Sequence, residues 1–329
     1  MNFDLESARV TVTGGAGFIG SNLVAHLLEC GCEVTVLDNF ATGKRENLAD
    51  FAGNKKFSLI EGDIRNMADC RRAVGQADFV LHQAALGSVP RSIKDPSATV
   101  EVNVAGFVNV LFAACEAKVK RFVYASSSSV YGDCQVSPKV ENIIGRQLSP
   151  YAVTKRTDEV FAGNFHDVYG IDCIGLRYFN VFGQHQDPDG AYAAVIPKFA
   201  KALLRGESPV IYGDGSRSRD FTYVSNVVKA NMLALGVSGS GALNQAYNIA
   251  CGKTTDLNTL FTVIREKLSK YAPQVSAVTA VYAEPRPGDI PHSLADISKA
   301  EKLLGYSPDI DVRQGLDFTA GWYFKTLGK

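Results

Sequence analysis

An excess of charge of either sign is missing from this 329-residue chain: 34 Lys and Arg are balanced by 34 Asp and Glu. No global field therefore draws it to nucleic acid or to an anionic membrane, and an anionic ligand must be held by a few local cations. Also missing is any run of about 18 consecutive apolar residues, so no transmembrane helix is expected. Residues 1–9 carry charges and no apolar h-region, and no signal peptide is expected. The seven cysteines, an odd number, offer no C-x-x-C pair matched by a second one downstream. A zinc site or a thioredoxin-like motif is thereby disfavoured, and no metal is expected. Several, such as Cys115 and Cys173, lie in apolar runs and read as small buried thiols, which suit a reducing compartment. The expectation is a cytoplasmic protein without a nucleic-acid or membrane partner.

What is present is ordinary globular material, 46% hydrophobic and 21% charged, at a length that supplies a large core without staples. In the first half, short β-rich runs at 9–13, 33–37, 57–61, 79–82 and 121–125 alternate with helical patterns at 18–30, 67–74 and 97–117. A further helix is expected over 151–169 and a strand over 172–176. Repeated β-α-β units of this kind imply an α/β fold, a parallel sheet with helices on both faces. After Tyr178 the pattern becomes mixed. Helices are expected over 194–205, 227–235, 257–271 and 300–304, strands over 220–224 and 246–250, a turn over 212–215, and loops around 187–190 and 237–241. Residues 1–178 thus form a core domain. Residues 179–329 form mainly a smaller C-terminal α/β lobe, interleaved with the first and covering its ligand crevice.

The first strand meets the first helix through Thr13-Gly14-Gly15-Ala16-Gly17-Phe18-Ile19-Gly20. A glycine run alone could be only a sharp turn. Here Gly14, Gly17 and Gly20 stand in a strand-turn-helix unit, and Asp38, 18 residues after Gly20, ends the second strand. Glycines let a backbone approach a pyrophosphate at a helix N-terminus, and an acid at that distance bonds ribose hydroxyls. The pattern points to a Rossmann-type domain that binds a dinucleotide, and a carboxylate at Asp38 favours NAD over NADP. Asn39 belongs to the same strand end. Asp63 and Ile64, after the third strand, would lie near the adenine, and the small Ala84 and Ala85, after the fourth, would pass beneath the dinucleotide.

Tyr151 and Lys155 stand four apart, hence on one face of the expected helix. A phenol with pKa about 10 is a poor base at neutral pH and needs positive charge beside it, which Lys155 and an oxidised nicotinamide supply. A lone Y-x-x-x-K is common by chance. In this chain it is joined by Ser126-Ser127-Ser128-Ser129-Val130-Tyr131-Gly132 at the end of the fifth strand, where a hydroxyl can bond the reacting oxygen.

With these motifs in place, the chain resembles the extended short-chain dehydrogenase/reductases, and among them the UDP-hexose 4-epimerases, from Thr13 to about Tyr306. The segments around His82-Gln83-Ala84-Ala85-Leu86-Gly87-Ser88, Arg177-Tyr178-Phe179-Asn180-Val181-Phe182-Gly183, Ala194-Val195-Ile196-Pro197-Lys198 and His292-Ser293-Leu294-Ala295-Asp296 carry a closer likeness. It is to the bacterial UDP-N-acetylglucosamine 4-epimerases of surface-polysaccharide synthesis. The resemblance implies that Tyr151 removes the proton of the sugar 4-hydroxyl while hydride leaves C4 for NAD, and that both return to the opposite face. It assigns Ser127 as the catalytic serine, Ser128 as a second sugar contact and Tyr178 to the cofactor. Arg219 and Arg286 would hold the diphosphate. Asn180, Val195, Lys198, Tyr212 and Asp289 would line the nucleotide-sugar pocket, with Gly87, Ser88, Gln186, Ala194 and Ser293 around the sugar.

Ser293 occupies a family position that is a bulky tyrosine in enzymes restricted to UDP-glucose and UDP-galactose, so UDP-GlcNAc to UDP-GalNAc interconversion is favoured, with the corresponding uronic acids a further possibility. UDP-glucose/UDP-galactose and UDP-glucuronate 4-epimerases remain open alternatives. A 4,6-dehydratase expects an Asp-Glu pair, and a decarboxylase a glutamate, where this chain has Ser128-Ser129. A redox-inactive NAD-binding scaffold would have lost the Ser-Tyr-Lys set. The helices over 97–117 and 151–169 form a dimer interface in this family. Phe107, Val108, Leu111 and Phe112 fit that role, although they could equally be core, and a homodimer is expected.

Overall fold

The computed structural model describes residues 5–188, 194–285 and 292–328. Seven parallel strands form the main sheet: β1 (Arg9–Thr13), β2 (Glu33–Asp38), β3 (Phe57–Glu61), β4 (Phe79–His82), β5 (Arg121–Ser127), β6 (Cys173–Tyr178) and β7 (Gln245–Ile249). Their order is β7-β6-β5-β4-β1-β2-β3, so the chain winds outward from β1 in one direction and then in the other. This is the doubly wound Rossmann-type sheet expected from the alternating pattern. The reversal of winding beside β1 opens a crevice at the C-terminal strand ends. β7 comes from the second half of the chain and pairs with β6 in register from Gln245↔Ile174 to Ile249↔Tyr178.

The flanking helices are α1 (Phe18–Glu29), α2 (Met67–Val74), α3 (Phe107–Glu116) and α4 (Pro150–Tyr169), followed by α5 (Val195–Leu204), α6 (Val224–Gly236), α7 (Leu257–Ser269) and α8 (Val312–Leu327). α4 starts where Ser149 accepts the Ala152 amide and Pro150 occupies the first turn, and it stops at Gly170 in the left-handed conformation. One core lies between the sheet and α1 with α6, and a second between the sheet and α2, α3 and α4. A third joins α5, α7 and α8 in the smaller lobe.

The single helix expected over 97–117 is three pieces: Pro96–Val100, a π-helical turn Glu101–Gly106, and α3. The wider turn swings Asn103 inward, where its side chain bonds Leu86 and Thr154. By length and composition Pro96–Glu116 is apolar enough to cross a membrane, because hydropathy averaged over a window tolerates its polar Asn103 and Asn109. In this fold it is a core helix, with Phe107, Val110 and Leu111 fully buried against the sheet. Phe107 and Leu111 are therefore core residues and not interface residues; Val108 and Phe112 are partly buried beside them.

In the smaller lobe the strand expected over 220–224 is only Thr222–Tyr223, because Val224 already begins α6. Tyr212 ends a strand, Val210–Tyr212, before the turn, and α7 ends at Ser269. α8 was not expected from periodicity.

Candidate active site

β1 turns into α1 over glycines that the packing requires. Gly14 has φ +69°, and a Cβ there would lie 2.7 Å from the Ala84 backbone; a Cβ at Gly20 would strike the Gly14 carbonyl. α1 begins at Gly17 without a side-chain cap, so its first amides are left to a ligand. Asp38 is buried and accepts the Ala16 amide at 2.9 Å and the Phe40 amide at 2.8 Å. Burial pushes its pKa up, and the two backbone donors work against that rise. Asn39 donates to Asp63 at 2.9 Å, and Arg65 grips the same carboxylate, holding its pKa down at about 2.

Gly14, Gly17, Asp38, Asn39, Asp63, Ile64, Ala84 and Ala85 line one crevice at these strand ends. Phe18, Ile19 and Gly20 form the first turn of α1 beside it. The cradle fits NAD: backbone and a bare helix end for the pyrophosphate, and an acid for a ribose without a 2′-phosphate. Tyr178 does not line the crevice but reaches it through Gln83. Its hydroxyl donates to Gln83 at 3.2 Å and accepts from Asn231 at 3.0 Å, and burial pushes its pKa up to about 12.

The serine cluster is sorted by the alternation of β5. Ser126 is buried and donates to Glu159 at 2.7 Å, whereas Ser127 is half-buried and accepts the Ser129 amide at 3.1 Å. Ser128 opens the turn Ser128–Tyr131. Tyr151 lies in the first turn of α4, which packs on β5 and on that turn. Lys155 is buried one turn later and donates to the Ala125 carbonyl at 2.9 Å and to Asp158 at 3.2 Å.

Beneath this set, Arg177 on β6 grips Glu159 with two donors, at 2.8 and 2.9 Å, both side chains buried. Burial works against the Glu159 carboxylate, but Arg177, Ser126 and Arg156 outweigh it and hold its pKa below the usual range. Asn103, Asp158, Glu159 and Gln83 escaped the sequence reading. The signal present for the two acids was their place one turn past Lys155.

The smaller lobe adds a cavity of about 560 Å³ lined by Asn180, Ala194, Val195, Lys198, Tyr212 and Arg219 from the expected set. Arg217, Glu207, Phe199 and Phe221 line it as well. Among the described residues, three cations stand against one acid in this lining, which suits a diphosphate. Ser293 pairs in register with Arg219, in the short strand His292–Ser293 beside Ser218–Arg219. Asn180 donates to the Asp220 carbonyl at 2.9 Å, and Gln186 to the Val181 carbonyl at 3.0 Å. Gly87 and Ser88 follow β4, with Ser88 capping Val89–Lys94 by accepting the Arg91 amide. Gly87, Ser88, Gln186 and Ser293 do not themselves line the cavity, nor do Ser127, Ser128 and Tyr151. Arg286 and Asp289 lie outside the described residues.

Comparison with known proteins bears on both halves of the site. Residues 10–250 match the model of the NAD dependent epimerase/dehydratase family. The UDP-N-acetylglucosamine 4-epimerase of Methanobrevibacter ruminantium M1, solved in complex with UDP-N-acetylmuramic acid, is 40% identical with a TM-score of 0.90, over 97% of this chain and 99% of that one. The UDP-glucuronic acid 4-epimerase of Bacillus cereus, solved with UDP-glucuronic acid and NAD, is 31% identical with a TM-score of 0.85, over 96% and 99%. The UDP-glucose 4-epimerase of Mycolicibacterium smegmatis is 36% identical over 96% of this chain and 98% of its own length. Crevice, glycine cradle and near end-to-end likeness agree: the chain belongs to the NAD dependent epimerase/dehydratase family, and its cofactor is NAD.

Proposed function

We propose that this protein is a UDP-sugar 4-epimerase whose preferred substrates are UDP-N-acetylhexosamines. One observation carries the choice of epimerisation over elimination or decarboxylation. The end of β5 presents Ser127-Ser128-Ser129, while the nearby carboxylates are committed, Asp158 to Lys155 and Glu159 to Arg177. No acid of β5 or the turn after it is left to remove water from C5 and C6.

The chemistry supplied by bound NAD is reversible acceptance of hydride from C4. Tyr151 takes the proton of the 4-hydroxyl and later returns it, with Lys155 supplying positive charge beside the phenol. Ser127 donates a hydrogen bond to the same oxygen. Arg219, Lys198 and Arg217 hold the diphosphate while the 4-keto sugar turns to present its other face, so that C4 is inverted without net oxidation.

An acetamido sugar is supported by the small Ser293 beside Arg219, by the uncharged Gly87, Ser88, Asn180 and Gln186, and by the 40% identity to the M. ruminantium enzyme. Small side chains at these positions admit the larger group, and their lack of charge suits it better than a uronate. The same reading places the protein in the cytoplasm, supplying precursors for surface polysaccharide. It acts there as a homodimer joined through α4, whose Val153, Val160 and Val168 are exposed along one side, and through the exposed Ile93 and Val100.

Purified protein incubated separately with UDP-GlcNAc, UDP-Glc and UDP-GlcNAcA, with C4 epimers resolved, tests the reading. Fastest turnover is expected for UDP-GlcNAc, and equal or better turnover of UDP-Glc would sink the acetamido preference. Tyr151→Phe is expected to retain NAD and lose epimerisation by at least about a hundredfold; retained activity would remove Tyr151 from its role.

A further inference from the structure

We propose that Asp158 is a positioning residue: it holds the Lys155 ammonium against the Ala125 carbonyl and tempers the positive charge that Tyr151 needs to act as a base. The inference rests on the epimerase reading above. Asp158 follows Lys155 by three residues on α4, which puts both side chains on one face. Its Oδ2 accepts from Lys155 Nζ at 3.2 Å, and the same Nζ donates to the Ala125 carbonyl on β5 at 2.9 Å. The side chains are 3% and 0% exposed, so water competes for neither contact. An ammonium has three hydrogens, and these two contacts engage two of them. With two hydrogens fixed, one on the helix and one on the strand, the third is aimed and no longer swivels.

The second oxygen, Oδ1, is buried and has no hydrogen-bond partner among the described residues. A buried carboxylate oxygen without a donor disfavours the charged form. Burial pushes the Asp158 pKa up to about 7, against the pull of Lys155. Other charged or titratable groups face this region: Arg156 and Glu159 on α4, His82 on β4, Tyr124 on β5 and Arg177 on β6. Glu159 and Arg177 neutralise one another as an ion pair. Burial holds His82 neutral, with its pKa down at about 3, and pushes the Tyr124 phenol up. Asp158 is therefore, besides Tyr151 itself, a group whose charge changes beside Lys155 near neutral pH.

Asp158→Asn separates the two duties, since the amide oxygen still accepts from Lys155 while the charge is gone. The acid limb of the kcat profile is expected to move to lower pH by about one unit, with plateau kcat within a few-fold of wild type. Asp158→Ser shortens the side chain and loses the grip, and its plateau kcat should fall about tenfold while KM changes little. A second readout needs no turnover: the near-ultraviolet phenolate signal that Tyr151→Phe removes should titrate about one unit lower in Asp158→Asn. Superimposable wild-type and Asp158→Asn curves in both measurements would overturn the proposal. If no UDP-sugar is turned over, the functional reading fails, and the phenolate titration still decides the part played by Asp158. If packing rejects the amide, the Asp158→Ser titration decides it.

Discussion

Arg177→Met should destabilise the fold far more than a charge on the surface would. Arg177 makes four contacts: two with the Glu159 carboxylate, one with the Tyr131 hydroxyl at 3.0 Å and one with the Glu141 carbonyl at 2.9 Å. Methionine fills much of the volume and makes none of them, leaving Glu159 buried with Ser126 and the half-exposed Arg156. Breaking a buried pair by removing one partner costs about 3–5 kcal/mol. The remaining Arg156 contact places the expectation at the lower end, about 3 kcal/mol. An unfolding entropy of about 2.1 cal/mol/K per residue makes that a fall in Tm of roughly 4–5 °C for a chain of this length.

The deficit should also depend on pH. Glu159 in wild type has a lowered pKa and contributes stability above the unfolded carboxylate range. Without Arg177 its burial is uncompensated and its pKa rises, so the variant should close part of the gap to wild type as pH falls from about 8 to about 5. Urea unfolding at several pH values measures this. Glu159→Leu combined with Arg177→Met should lose less than the two single changes together, because no charge is then stranded. A loss below about 1 kcal/mol for Arg177→Met, unchanged between pH 5 and 8, would refute the reasoning.

Two further outcomes follow from the same geometry. Gly20→Ala places a methyl group against the Gly14 carbonyl, so the cradle must distort; the NAD content of the purified protein should drop several-fold, and wild-type content would contradict the role given to the loop. Asp158→Asn should flatten the pH dependence of stability. The wild-type carboxyl titrates at about 7 when folded and near 3.9 when unfolded, so stability present at low pH is lost, at up to about 1.4 kcal/mol per unit, as pH rises towards 7. Wild type should therefore lose ground to Asp158→Asn between pH 5 and pH 8 in thermal melts, and parallel curves would exclude a titrating Asp158.

The sheet and its cradle were legible because local pattern determines them: apolar β runs ending in glycine or acid, then amphipathic helices. Lys155 and Tyr151 were legible as a helical spacing, and the alternation of β5 separates Ser126 from Ser127. Asn103 was not legible, because what makes it matter is its contact with Leu86 and Thr154, 17 and 51 residues away. The two-residue strands Ser218–Arg219, Thr222–Tyr223 and His292–Ser293 exist only through distant pairing and carry no period of their own. α8 is a different case. Asp311 and Gln314 form a reciprocal capping box that local sequence spells out, ahead of a helix whose apolar face is diluted by Gly315 and Gly321.

The last strand of the main sheet, β7, has a consequence for the newly made chain. β6 is complete by Tyr178, yet its outer edge stays open until Gln245–Ile249 has been synthesised some seventy residues later. During that interval a fully buried strand, Cys173–Tyr178, presents unpaired backbone amides and carbonyls. The intervening residues, which include α5 of the smaller lobe and α6 on the face of the main sheet, must collapse without closing over the path of β7. A ribosome-bound chain stopped between these points offers a chaperone one defined apolar edge. Cutting the gene after Tyr178 would make that exposure permanent and yield an aggregating fragment in place of a small NAD-binding domain.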